Sequence, residues 1–224
     1  MLSCNDICLD YVEATRVTHA LNGITLEFPS NKLHGIMGPS GSGKSSLLYI
    51  LCGLKSPTAG NVHIDGNSIT KMAEVDRASL RSKQFGFVFQ QPFLLNYLTA
   101  LENILVGATP SKLADEIVKA ETLLENLGLG GMGDKYPSML SGGERQRVAV
   151  ARALIGNPDI VFADEPTAAL DKENGYKVMN ALAEWAVDHT VIVVTHDADM
   201  LKNADVIHHL MNGCLVDIPH HNVR

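Results

Sequence analysis

Between the apolar pentapeptide Leu33-His34-Gly35-Ile36-Met37 and a run with apolar residues at Leu47, Leu48, Leu51 and Cys52 lies Gly38-Pro39-Ser40-Gly41-Ser42-Gly43-Lys44-Ser45. The spacing is G-x-x-x-x-G-K-S, and it demands a strand, a tight glycine loop and a helix in that order. Glycines let the backbone close around phosphate oxygens where a Cβ would collide. The helix that follows offers free N–H groups and the positive end of its dipole to an anion. Lys44 is placed to neutralise β- and γ-phosphates, and the Ser45 hydroxyl to bind Mg²⁺. Gly53 is placed to end the helix. A flexible glycine–serine linker would need neither the strand nor the helix.

A chain of 224 residues suits one large domain or two joined subdomains, and 46% hydrophobic residues supply an ordinary core. The formal charge of −7, with no Lys/Arg-rich run, argues against a general nucleic-acid grip, so no nucleic-acid partner is expected. Apolar runs such as Val191-Ile192-Val193-Val194 fall far short of the ~18–20 residues that span a bilayer, and no direct membrane insertion is expected. The segment Met1-Leu2-Ser3-Cys4-Asn5-Asp6 lacks the basic and apolar regions of a signal peptide. Cys4, Cys8, Cys52 and Cys214 show neither zinc spacing nor a disulfide framework, which suits a reducing cytosol. A membrane role would therefore come through a partner.

Short apolar strands alternate with helical segments, which favours an α/β domain with a largely parallel sheet. Asn22-Gly23, Asp65-Gly66 and Asn212-Gly213 read as turns between antiparallel pieces. The first two suggest a β-rich flap built from the N-terminal segment and residues 60–69. Residues 92–140 change character. Thr99 with Glu102 reads as a capping box. Ser111 opens another helix, with Leu113, Ile117, Ala120, Leu124 and Leu127 on one face and Gly128 at its end. A helical subdomain inserted into the α/β core explains the switch. Residues 220–224 are expected to fray.

The strand Asp159-Ile160-Val161-Phe162-Ala163 runs into two acids, Asp164 and Glu165. A carboxylate at the C-terminal edge of a parallel strand lies where such sheets bind ligands. Asp164 can hold Mg²⁺ through its water shell, and Glu165 can polarise an attacking water. Adjacent acids after a strand are often only a solvated loop, but the glycine loop upstream favours the site. The next strand ends in Thr195-His196-Asp197. His196 is placed to hydrogen-bond a γ-phosphate and sense its loss.

Leu140-Ser141-Gly142-Gly143-Glu144-Arg145-Gln146 follows the helical segment. Ser141 and Glu144 have capping-box spacing, which by itself does not require Gly142-Gly143. With this heptapeptide the chain resembles the ABC (ATP-binding cassette) ATPases over essentially its whole length. The resemblance implies a P-loop NTPase (RecA-like) core with an antiparallel β subdomain and an inserted α-helical subdomain. Residues 1–91 and 145–224 would form the core with its β subdomain, and 92–144 the helical part. It also implies hydrolysis of MgATP in a head-to-tail homodimer that drives a separate transmembrane permease from the cytoplasmic face of the membrane.

By the same resemblance, residues Gly38 to Ser45 and Ser46 bind nucleotide, with Lys44 also catalytic. Ser141, Gly142 and Gly143 face the γ-phosphate of the opposite subunit's ATP. Gln90, after the strand 85–89, matches the glutamine loop that reaches Mg²⁺ and the attacking water. Tyr11 matches the aromatic that stacks on adenine, although a tyrosine at a strand end is often a packing residue. Asp171 matches the loop that contacts the partner subunit, while Ala168 departs from the serine often found beside it. Pro92, Phe93, Leu94, Leu95 and Tyr97 would line the groove for a permease helix, or else a buried seam between subdomains. Gly86-Phe87-Val88-Phe89-Gln90 with Leu98-Thr99-Ala100-Leu101-Glu102-Asn103 is similar to the ATPases of the macrolide-exporter and lipoprotein-releasing group, an export or mechanotransmission type.

Two other classes stand beside this one. Soluble relatives serve DNA repair, chromosome maintenance or translation, but the chromosome type separates its motifs by a long coiled coil, and no sustained heptads occur here. Translation members usually carry two cassettes in one chain. A membrane-linked ATPase that signals and moves no substrate remains open. His19, His34, His63, His189, His208, His209, His220 and His221 lack matched ligand spacing, and packed or solvated roles suit them.

Overall fold

A computed structural model of the protein describes residues 1–13, 16–108 and 113–216. Ser111 and the C-terminal His220, His221, Asn222, Val223 and Arg224 lie outside the described residues. The strands are β1 (Leu2–Glu13), β2 (Arg16–Phe28), β3 (Leu33–Met37), β4 (Ala59–Ile64), β5 (Asn67–Ser68), β6 (Phe85–Val88), β7 (Ile160–Asp164), β8 (Thr190–Thr195), β9 (Val206–Met211) and β10 (Cys214–Val216). The α-helices are α1 (Lys44–Leu51), α2 (Glu74–Gln84), α3 (Ala100–Leu105), α4 (Leu113–Asn126), α5 (Gly142–Leu154) and α6 (Lys172–Trp185).

Five parallel strands and one antiparallel edge strand form the main sheet, in the order β10-β9-β3-β8-β7-β6. With both faces covered, β7 is apolar from Ile160 to Ala163 and β8 from Val191 to Val194. Alternate residues diverge to two cores. Val161, Ala163, Val191 and Val193 join the α3, α4, α5 and α6 side. Ile160, Phe162, Ile192 and Val194 join α1 and the antiparallel sheet β2-β1-β4-β5. The sequence reading placed a boundary at 144/145, which falls within α5. Ala100, Ile104, Ala120 and Leu124 share one core with Val88 and Val161, so the helical segment has no separate interior.

Asp65-Gly66 and Asn212-Gly213 make the expected hairpin turns, with positive φ at both residues of each pair. Asn22-Gly23 does not. It lies inside β2, where only Gly23 has positive φ, and the β1–β2 register slips between Ile7↔Ile24 and Leu9↔Leu21. The extra residue makes a bulge, which bends a long strand rather than reversing it. Leu113 is a second correction. It is 67% exposed, while Ala120, Leu124 and Leu127 are buried as expected. His34 and His208 are packing residues: their rings stack at 6.2 Å, and Phe28 meets both edge-on. The His34 Nε2–H donates to the Pro29 carbonyl at 2.8 Å.

Candidate active site

β3 delivers the chain to the glycine loop, and α1 leaves it with Gly43 as N-cap at φ 102°. The glycines are required for different reasons. A Cβ on Gly38 would lie 2.0 Å from the Leu210 carbonyl oxygen, a packing demand from β9 rather than from phosphate. At Gly43 both the φ and the Ala20 carbonyl, 2.6 Å from an added Cβ, exclude any side chain. The loop is therefore shaped before a ligand arrives. Lys44 is buried and donates to the carbonyls of Gly38 (2.8 Å) and Pro39 (3.0 Å). Its Nζ lies 3.9 Å from Glu165 Oε1.

The loop borders an open cleft of about 940 Å³ lined by Tyr11, Pro39, Ser40, Gly41, Gly43, Lys44, Ser45, Ser46, Gln90, Glu165, Ala168 and His196. Gly38 and Ser42 are not among its lining residues, and the Ser42 hydroxyl is buried without a protein partner. Glu165 follows the end of β7 at φ 46°, a left-handed backbone uncommon for a residue other than glycine. That turn brings its oxygens 2.9 and 3.0 Å from His196 Nδ1, which follows β8. A carboxylate only accepts, so Nδ1 carries the proton of this contact.

Asp164 is 7% exposed and lies behind Ser45. Ser45 Oγ donates to Asp164 Oδ1 at 2.8 Å, and the Tyr49 hydroxyl donates to Oδ2 at 2.8 Å. Burial and the Asp164 charge push the Tyr49 phenol up to about 12, so it remains a proton donor. Ser45 gives its proton to Asp164 and keeps its oxygen lone pairs. A hydroxyl oxygen, a carboxylate and the Gln90 amide are the hard ligands Mg²⁺ accepts, alone or through water, beside phosphate oxygens. The donor set fits the ion.

Tyr11 borders the cleft, with its hydroxyl 3.1 Å from Ser46 Oγ and Lys55 Nζ 3.9 Å from its ring centroid. Lys55, then Ser46, hold the phenol below its ordinary pKa. Ser141, Gly142, Gly143 and Asp171 do not line the cleft of their own chain. Ser141 and Glu144 form the expected capping box, and Asp171 caps α6. Asn174 joins the two places: its side chain donates to Asp171 at 2.7 Å, accepts from Arg147, and packs where a Cβ on Gly143 would lie.

Four further residues take roles that motif reading did not assign to them. Gln146, buried on α5, donates to the Phe89 carbonyl at 2.8 Å and so fixes the segment carrying Gln90. Arg152, also on α5, donates to the carbonyls of Pro92 (2.7 Å) and Phe93 (2.9 Å). Tyr49 and Lys55 complete the set. Tyr49 stands four residues after Ser45, so helical spacing alone places both on one face of α1.

A glycine phosphate loop between a parallel strand and a helix, with acids at the end of a nearby strand, defines the P-loop nucleotide hydrolases. Comparison with known proteins narrows this. The family model described as ABC transporter matches residues 21–168. The lipoprotein-releasing system ATP-binding protein LolD of Blochmanniella floridana is 40% identical over 220 residues, covering 96% of this chain and 93% of that protein. The macrolide export ATP-binding/permease protein MacB of Acinetobacter baylyi is 40% identical over 222 residues, although the chain spans only 33% of it. A dimeric post-hydrolysis structure of the ATP-binding cassette MJ0796, bound to ADP and Pi, superposes with a TM-score of 0.90 at 35% identity, covering 97% of each chain. The chain belongs to the ABC transporter family, as an ATP-binding subunit with ATPase activity.

Proposed function

We propose that the protein hydrolyses MgATP in a head-to-tail homodimer and drives a separate membrane permease of the export or mechanotransmission type. The observation that carries this is the Glu165–His196 pair at the mouth of the phosphate loop, beside Lys44. Lys44 and the amides of Ser40, Gly41, Ser42 and Gly43 hold phosphate, with Gly38 and Pro39 shaping the loop. Tyr11 stacks on adenine, and Ser46 steadies it. Ser45, Asp164 and Gln90 would hold Mg²⁺, which when bound would supply positive charge against that of the phosphates. Glu165 takes a proton as the water oxygen bonds to the γ-phosphorus and the bond to the bridging oxygen breaks. His196 hydrogen-bonds the departing phosphate. Ser141, Gly142 and Gly143 complete the partner subunit's site, and Asp171 meets the facing subunit.

The permease contact falls on the helical side. A second cleft of about 720 Å³ is lined by Phe85, Phe87, Val106, Ala108, Arg152 and Pro158, among others. Phe93 and Tyr97, beside the Arg152-bound backbone, are 63% and 74% exposed. Leu94 packs into the core instead. Rings run from buried Phe162 through Phe87 and Phe89 to Phe93, at 6.0, 6.0 and 5.8 Å. A push on Phe93 therefore reaches the neighbour of Gln90 through packed aromatics. Among the described residues no helix is long and apolar enough to cross a membrane. We place the protein peripherally on the cytoplasmic face.

Tagged Glu165→Gln protein, trapped with ATP in its native cell, tests this. A co-purifying permease with few spans and a large extracytoplasmic domain is the expected partner. Recovery of ribosomes or DNA-repair proteins, with no membrane protein, overturns the transporter reading and leaves the ATPase.

A further inference from the structure

Tyr49 belongs to no phosphate-loop motif, yet its hydroxyl and that of Ser45 engage separate oxygens of one buried carboxylate. The two residues are four apart on α1, whereas Asp164 arrives from β7, 115 residues beyond Tyr49. We infer that Tyr49 is a positioning residue for the divalent cation, fixing the plane of the Asp164 carboxylate so that Oδ1 and the Ser45 oxygen face the metal together. The inference rests on the assignment of Ser45 and Asp164 to the Mg²⁺ site.

A carboxylate held at one oxygen can still turn about its Cβ–Cγ bond. A second donor on the other oxygen removes that freedom. Ser45 alone cannot supply both, because its single proton is already given to Oδ1. Tyr49 is itself anchored: its carbonyl accepts the N–H groups of Leu54 and Lys55, both at 2.9 Å. Without the phenol, Oδ2 would be a buried charged oxygen lacking a donor. Partners of this kind, one bond removed from the ligand, typically change metal affinity about 10–100-fold.

The test reads metal–nucleotide coupling rather than turnover. The dissociation constant of a fluorescent N-methylanthraniloyl-ATP is measured in Mn²⁺ and in EDTA. For Tyr49→Phe, which removes only the hydroxyl, affinity in EDTA should stay within about twofold while affinity in Mn²⁺ falls about tenfold. Unchanged affinity in both conditions overturns the inference. So does an equal loss in both, which would mean a deformed pocket. Should Tyr49→Phe fail to fold, Tyr49→Leu, which also lacks a donor, decides by the same measure: a loss confined to Mn²⁺ supports the role, and unchanged affinity overturns it. Asp164→Asn should abolish the Mn²⁺ effect. A full effect in that variant would overturn the underlying metal-site assignment, a failure separable from that of Tyr49.

Discussion

His196 Nδ1 lies 2.9 Å from Glu165 Oε1, so two residues at the ends of adjacent strands, 31 apart in sequence, act as one hydrogen-bonded unit. Glu165→Gln should lower kcat about 10²–10⁴-fold while leaving ATP affinity within about threefold. His196→Ala should also lower kcat, and the double variant should be no slower than the worse single one, because the two groups act together. Single-turnover hydrolysis checks this, and additive losses would separate the two roles.

Ser141 offers a cleaner division between binding and dimerisation. Ser141→Ala removes a helix cap worth about 1 kcal/mol, which denaturant unfolding would register. Because Ser141 does not line its own chain's cleft, ATP affinity of the monomer should not change. ATP-driven dimerisation in the Glu165→Gln background should be lost, as read by analytical ultracentrifugation.

Lys55 contributes through the Tyr11 ring. A cation over an exposed aromatic face stabilises its placement by about 0.5–1 kcal/mol, so Lys55→Ala should raise the KM for ATP about two- to fivefold. The value of kcat should hold, and Lys55→Arg should restore KM. A change in kcat alone would contradict the adenine-side role.

Phe93 holds a φ of 43°, which aspartate tolerates better than phenylalanine. Phe93→Asp should therefore keep its thermal midpoint and its hydrolysis by the isolated subunit. Permease-stimulated hydrolysis and transport in membranes should fall together. Loss of basal hydrolysis in folded protein would count against a docking role.

Burial, with His34 and His209 adding repulsion, lowers the His208 pKa to about 4. The unfolded chain, with histidine near 6.5, therefore takes the proton first. Stability contributed by neutral His208 is complete above about pH 6.5 and is lost as pH falls towards 4, at no more than about 1.4 kcal/mol per pH unit. Denaturant midpoints across that range should flatten in His208→Leu relative to wild type.

Sequence reading succeeded where local chemistry decides the outcome. The phosphate loop, both capping boxes, and the turns at Asp65-Gly66 and Asn212-Gly213 depend on residues within a few positions of one another. It failed at Asn22-Gly23 because β2 continues through the dipeptide: Asn22 donates to the Gly213 carbonyl at 2.8 Å, and only Gly23 is left-handed, in a bulge against β1. Leu113 was misplaced because an amphipathic stripe fixes a helix face but not how far the neighbouring core extends. Tyr49, Gln146 and Arg152 each act on a residue remote in sequence, and no spacing rule pairs such residues before the fold is known.

The order of the main sheet also bears on synthesis. β3, which delivers the phosphate loop, is flanked by β8 and β9, and the Leu210 carbonyl closes against Gly38. Both sheet neighbours of that strand are thus translated more than 150 residues after it. The sheet pairing on both sides of β3 must therefore wait for residues 190–211, because such long-range pairing has no local substitute. ATP bound at the glycine loop can accordingly serve as a ligand that reports the closure of β8 and β9 around β3.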